Sequence, residues 1–111
     1  MEPIVADHSA HPGGVLWRLS ESGRQLDANV LNLSARQTIG VHAEPELDVL
    51  LLIVAGAGTM ATEEGPLALV PGELIWLPRT SSRSITAGVE GLAYLTVHRR
   101  RPGLQIGSRN R

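Results

Sequence analysis

The sequence predicts an all-β domain in which two antiparallel sheets form a sandwich or small barrel, with little or no helix. Three observations carry this. Short aliphatic runs recur at near-regular spacing from Val15 to Val97, each bounded by a turn signal containing Gly or Pro. No segment repeats its apolar residues at helical period, and there is no dinucleotide-binding glycine loop, phosphate-binding loop or internal repeat. Finally, 42% of residues are hydrophobic yet Phe is absent and aromatics make up 3%, so Leu, Val, Ile and Ala must fill the core, as in a sheet-built interior.

With 111 residues the chain suits one domain around a single core. Residues 1–13 lack periodicity and end in His11-Pro12-Gly13, which marks an arm ahead of a barrel at 14–101 and a tail at 102–111. His8 and His11 in the arm have the spacing of a metal clip but no third donor nearby, and read as solvated. A first strand is expected at 15–19, closed by Ser20-Glu21-Ser22-Gly23, and a second at 26–33, where Asp27, Asn29 and Asn32 interrupt the aliphatics. Residues 37–43 extend towards His42, and Pro45 then forbids a regular ladder and predicts a bend before Asp48. The continuous apolar run at 47–55 is rich in β-branched residues and ends at Gly56-Ala57-Gly58, which predicts a strand buried on both faces. Further strands follow at 59–62, 67–70, 73–77, 83–87 and 92–97. The turns between them are Glu63-Glu64-Gly65-Pro66, Pro71-Gly72, Pro78 and Gly88-Val89-Glu90-Gly91.

Composition narrows the function classes. A net charge of −1 gives no field for nucleic acid or anionic lipid. The exception is Arg99-Arg100-Arg101, with Arg109 and Arg111 beyond it; without interleaved aromatics this run reads as a solvated tail. Without Cys there is no disulfide framework, thiolate nucleophile or Cys-ligated zinc. The N-terminus carries Glu2 and Asp7 where a signal pattern would be basic and then apolar, and no apolar run approaches the roughly 20 residues that span a bilayer. The expectation is a soluble, cytoplasmic protein with neither nucleic-acid nor membrane partners.

Chemistry concentrates in two stretches. The first, His42-Ala43-Glu44-Pro45-Glu46-Leu47-Asp48, sets an imidazole and several carboxylates before the most apolar segment, and strand alternation points His42 and Glu44 the same way. His42 is thus a ligand-binding donor or general base tuned by Glu44 and Asp48, or a hydrogen-bonded histidine at the barrel mouth. The second, from Pro71 to Arg83, supplies the opposite wall. Trp76 and Tyr94 are two of only three aromatics; either could stack on a ligand or fill core volume. Tyr94, Thr96 and His98 share one face of the last strand, and whether that face is inside decides whether His98 reaches a cavity. Arg79 lies in the loop near the mouth.

On these residues the chain resembles the cupin superfamily, in particular its small single-domain members of RmlC-like type. That family's first motif is G, five residues, H-x-H, three or four residues, E, six residues, G. His42 matches its first histidine, Glu44 stands at the second, Asp48 at the glutamate, and Gly56 closes the motif one residue late. In the second motif Gly72 and Pro78 match, while Thr80 replaces a glycine, Arg83 the histidine and Ala87 the asparagine. The resemblance covers about residues 26–99. It implies a jelly-roll barrel of two antiparallel sheets and, because small cupins are commonly homodimers, a two-fold dimer.

Metal-binding cupins use three histidines and one carboxylate, of which this chain keeps one histidine. A guanidinium at the fourth position cannot deprotonate to admit a dication. It is expected instead to form a bidentate pair with Asp48 or Glu44, giving a metal-free cluster. The favoured function is therefore metal-independent binding of a small, anionic molecule by His42, Glu44, Asp48, Arg83, Trp76, Tyr94 and His98. The alternative is an enzyme. Either His42 and Asp48 move protons in an isomerase or lyase, or His42, Glu44 and Asp48 hold Fe, Mn, Ni or Zn in an oxygenase or isomerase. A third class is a regulatory partner that docks through Arg99-Arg100-Arg101.

Overall fold

The computed structural model describes residues 14–101, which form seven strands and no helix. They are β1 (Gly14–Arg18), β2 (Leu26–Leu33), β3 (Thr38–Ala43), β4 (Val49–Thr62), β5 (Gly65–Leu69), β6 (Leu74–Leu77) and β7 (Ser82–Arg99). The N-terminal arm with His8 and His11, and the tail with Arg109 and Arg111, lie outside the described residues.

Every pairing is antiparallel, and β4 and β7 run side by side from Leu50 opposite Val97 to Thr62 opposite Arg83. One half of this ribbon is flanked by β1, β2 and β6, the other by β3 and β5. The two expected sheets are thus one hydrogen-bonded sheet folded over itself as a jelly roll.

The stretches read as turns at Gly56-Ala57-Gly58 and Gly88-Val89-Glu90-Gly91 are where the two long strands bend, so the segments at 59–62 and 83–87 continue β4 and β7. The β4–β7 register shifts between Ile53 and Ala55 and again between Gly56 and Gly58. Bulges of this kind bend a strand and increase its twist. Gly56 has φ +81°, and a Cβ there would run into the Gly91 carbonyl oxygen, so neither its conformation nor its clearance admits a side chain. Backbone touches backbone at this crossing, and the two halves close over one core.

Alternation along each strand then sets inside and outside. Val49, Leu51 and Ile53 are buried, but Leu50 between them is 42% exposed, so β4 is buried on one face, not two. A strand covered on both faces needs a second layer, and among the described residues no helix supplies it. Leu33, Leu51, Ile53, Met60, Leu69, Ile85 and Leu92 join residues of both halves in one cluster. Tyr94 belongs to that cluster, which settles the parity of β7: Tyr94, Thr96 and His98 point inward, and Leu95 and Val97 outward.

Candidate functional site

Arg83 organises the polar end of the barrel. Ile85 and Ala87, two and four residues further along β7, are buried, so Arg83 also points inward, and it is 7% exposed. Across the ladders stand Thr62 of β4 and His42 of β3. Its Nη1 donates to the Ser81 carbonyl at 3.2 Å, and among the described residues no carboxylate lies within ion-pair distance. Burial pulls the guanidinium below its ordinary value, with Glu44 and Tyr94 acting the other way. It nevertheless stays charged, because a guanidinium keeps its proton throughout the range in which proteins fold.

The expected pairing of Arg83 with Asp48 or Glu44 is therefore corrected. Asp48 Oδ1 accepts the backbone N–H of Arg79 at 2.8 Å. Glu44 Oε2 accepts Arg101 Nη2 at 2.7 Å. That bond, more than the backbone N–H of Glu46 that also reaches it, holds the Glu44 carboxyl below its ordinary value against the opposing effect of burial. The cause is register. Leu26 pairs with Arg99, the next step has the Arg100 N–H donating to the Gln25 carbonyl at 2.8 Å, and the chain then delivers Arg101 to the mouth. There the Arg101 N–H donates to Asp27 Oδ2 at 3.3 Å, and Asp27 pairs with Arg24 at 3.0 Å. Arg99 Nη2 adds a 3.4 Å bond to the Glu46 carbonyl. The arginine run, expected to be a solvated tail, is exposed but tied across the mouth.

His42 is exposed and its Nδ1 donates to the Gly40 carbonyl at 2.9 Å, so neither Glu44 nor Asp48 is its partner. The proton-transfer pair of His42 with Asp48 is not assembled. Nor is the set of His42, Glu44 and Asp48: among the described residues no three His, Asp or Glu side chains are grouped to hold a metal ion. The donor chemistry does not fit a divalent cation, since a guanidinium takes one ligand position and a second guanidinium engages Glu44.

The aromatic candidates separate. Tyr94 is 2% exposed, and burial pushes its phenol up to about 12 despite Arg83, so it remains a hydrogen-bond donor at neutral pH. His98, inward on the same strand, donates from Nδ1 to the Arg99 carbonyl at 2.8 Å. Trp76 is 62% exposed opposite Leu50 and fills no core volume, but it borders the cavity that opens between β5 and β6.

Strands β5 and β6 both pair with β4 but not with each other, and between them opens a cavity of about 420 Å³ walled by Thr62, Leu67, Ile75, Leu77 and Ser82. That volume suits a small molecule. A shallower depression of about 160 Å³, to which Arg83 contributes, shares Thr62, Glu63 and Ser82 with it. At the rim Thr80 has φ +70°, a left-handed conformation strained for a β-branched residue, and its N–H donates to the Glu44 carbonyl at 2.7 Å. The resemblance had placed a glycine of the second motif at this position.

Arg101, Asp27 and Arg24 were not anticipated as part of this site. No local pattern marks them, because the non-local β2–β7 register brings them together.

No protein-family model and no curated protein matches the chain. Among solved structures, 323 chains match, so the fold comparison does not hang on one neighbour. A cupin protein from Bacteroides fragilis shares 17% identity at a TM-score of 0.67, over 79% of this chain and 80% of its own. A sugar phosphate isomerase from a cupin superfamily, from Silicibacter pomeroyi, shares 21% identity at a TM-score of 0.69, over 79% of this chain and 59% of its own. KdgF from Halomonas sp. shares 18% identity at a TM-score of 0.64, over 80% of both chains. The jelly roll of β1 to β7 is that of a chain with the cupin fold.

Proposed function

We propose that this chain is a small-molecule-binding cupin barrel that receives an anionic ligand on Arg83 and uses no divalent metal. The observation that carries this is the state of Arg83: a residue 7% exposed whose guanidinium, among the described residues, has one backbone acceptor and no carboxylate at ion-pair distance. An unpaired buried charge costs several kcal/mol, on the order of the effective desolvation penalty of an ion in a protein, and a ligand anion offsets it. Glu44 and Asp48 already have partners, and His42 lies outside. The cavity beside Thr62 supplies the volume. The name of one neighbour, a sugar phosphate isomerase, agrees with a role centred on a small polar molecule.

The test combines metal analysis with binding. Protein purified without chelators is expected to hold substoichiometric iron, manganese, nickel and zinc, and to bind a small anion that Arg83→Met no longer binds. Stoichiometric metal, or binding indifferent to Arg83, contradicts the proposal.

The protein is further proposed to be a homodimer. Leu50, Leu74 and Trp76 are 42%, 64% and 62% exposed on the outer face, where Leu50 opposes Trp76 across β4 and β6. An apolar patch of this kind marks an interface more often than open surface. Sedimentation is expected to give a dimer for the wild type and a monomer for Trp76→Glu.

A further inference from the structure

Resting on that reading, we infer that the ligand of Arg83 presents a single planar carboxylate, not a phosphate or sulfate. Two properties of the site specify this. The first is charge. Arg83 and Arg101 carry two positive charges against the one negative charge of Glu44, while Arg24 and Asp27 neutralise each other. At the outer rim the exposed Arg99 and Arg100 stand in solvent against the exposed Glu46 and Glu63, the last of which borders the depression beside Arg83. One positive charge is left, and it is the buried one.

A carboxylate neutralises it. A phosphate monoester at neutral pH brings about 1.5 to 2 negative charges, and the excess would face Glu44 with no further buried cation among the described residues to meet it. Glu44 cannot swing to relieve this, because Arg101 grips one of its oxygens at 2.7 Å and the Glu46 N–H reaches the carboxyl as well.

The second property is shape. With Nη1 on Ser81, the Arg83 guanidinium makes no other hydrogen bond among the described residues, which leaves the rest of its planar fork available. A guanidinium meets a carboxylate through two parallel N–H···O bonds; it can meet a phosphate in the same way, so the fork sets the bidentate pairing and the charge disfavours the phosphate. Tyr94, close enough to Arg83 for the two to perturb each other, adds a neutral O–H donor that suits a carboxylate oxygen and brings no further charge. The ligand class is thus a monocarboxylic acid whose remainder enters the cavity that has Leu67, Ile75 and Leu77 as its apolar wall and Glu63 and Glu64 at its edge.

The experiment titrates the full chain, at constant ionic strength, with acetate, glycolate and benzoate in one arm and inorganic phosphate and sulfate in the other. The Arg83 Nε–H resonance is followed in a ¹H–¹⁵N spectrum, assigned by its loss in Arg83→Lys. Saturable shifts are expected with at least one monocarboxylate, and phosphate and sulfate are expected to bind at least tenfold more weakly. Arg83→Lys keeps the charge but not the fork, and is expected to lose tenfold or more in carboxylate affinity. Phosphate binding as tight as the best carboxylate overturns the inference while leaving an anion site in place. If no anion moves the Arg83 resonance, both the inference and the anion reading fail. Carboxylate affinity unchanged in Arg83→Lys overturns the bidentate geometry.

Discussion

The glycine crossing in the middle of the barrel and the polar mouth at its end obey opposite rules. At the crossing, Gly56 has a left-handed backbone and rests against the Gly91 carbonyl, and the fold has no room there for one methyl group. At the mouth, a β-branched Thr80 occupies a left-handed position that glycine would fill without strain, and a buried Arg83 has no carboxylate partner among the described residues. The crossing is built for stability and the mouth against it. Local violations of folding rules of the second kind gather where a protein binds or reacts.

Substitutions can break or sharpen this contrast. The largest effect is expected at the crossing: Gly56→Ala should cost roughly 3 kcal/mol or more from strain and overpacking together, leaving little folded protein. Circular dichroism and solubility would show it, and a stable Gly56→Ala barrel would break the comparison. At the mouth the sign reverses. Thr80→Gly should raise stability by about 1 kcal/mol by relieving the left-handed strain, partly offset by the greater entropy of an unfolded glycine. Urea unfolding measures this, and a destabilised Thr80→Gly would mean that the Thr80 side chain contributes to the fold.

The smallest effects belong to the strap. The Glu44–Arg101 pair has a half-exposed arginine, so Arg101→Met should cost about 0.5 kcal/mol. Its pH dependence has a definite sign. The carboxyls of Glu44 and Asp27 are both held below their ordinary values of 4.5 and 3.8; in Asp27 the bonds from Arg101 and Arg24 outweigh the opposing effect of burial. Groups depressed in the folded state stabilise above their unfolded values and lose that contribution as pH falls through the folded ones. Stability should therefore be flat above about pH 5 and decline in acid. The decline should be shallower in Glu44→Gln, and equal acid slopes in the two proteins would show that Glu44 is not coupled to folding.

Legibility in the sequence followed the range of the interaction. The strand at 26–33 could be bounded because its neighbours are local turn signals, and the bend at Pro45 because proline cannot sit in a central ladder. The motif spacing put Arg83 inside and marked Thr80 as a residue in a glycine's place, and the structure gives each a physical consequence. The glycines at 56–58 and 88–91 misled, since a glycine that ends a strand and one that bends it look alike until the facing strand is known. The partner of Glu44 could not be read, because the register of β2 on β7 chooses Arg101 over Arg83, and register depends on pairing across some seventy residues; that of Asp48 could not either, because it is the backbone N–H of Arg79, brought close where β6 pairs with β4.

The central claim is that no carboxylate among the described residues pairs with Arg83, and unfolding of Arg83→Met in low-anion buffer tests it most directly. Removing an unpaired buried charge in favour of a side chain of similar length should leave the barrel at least as stable as the wild type, by about 1 kcal/mol in the variant's favour. A loss of about 3–5 kcal/mol, as when one partner of a buried ion pair is removed, would contradict it.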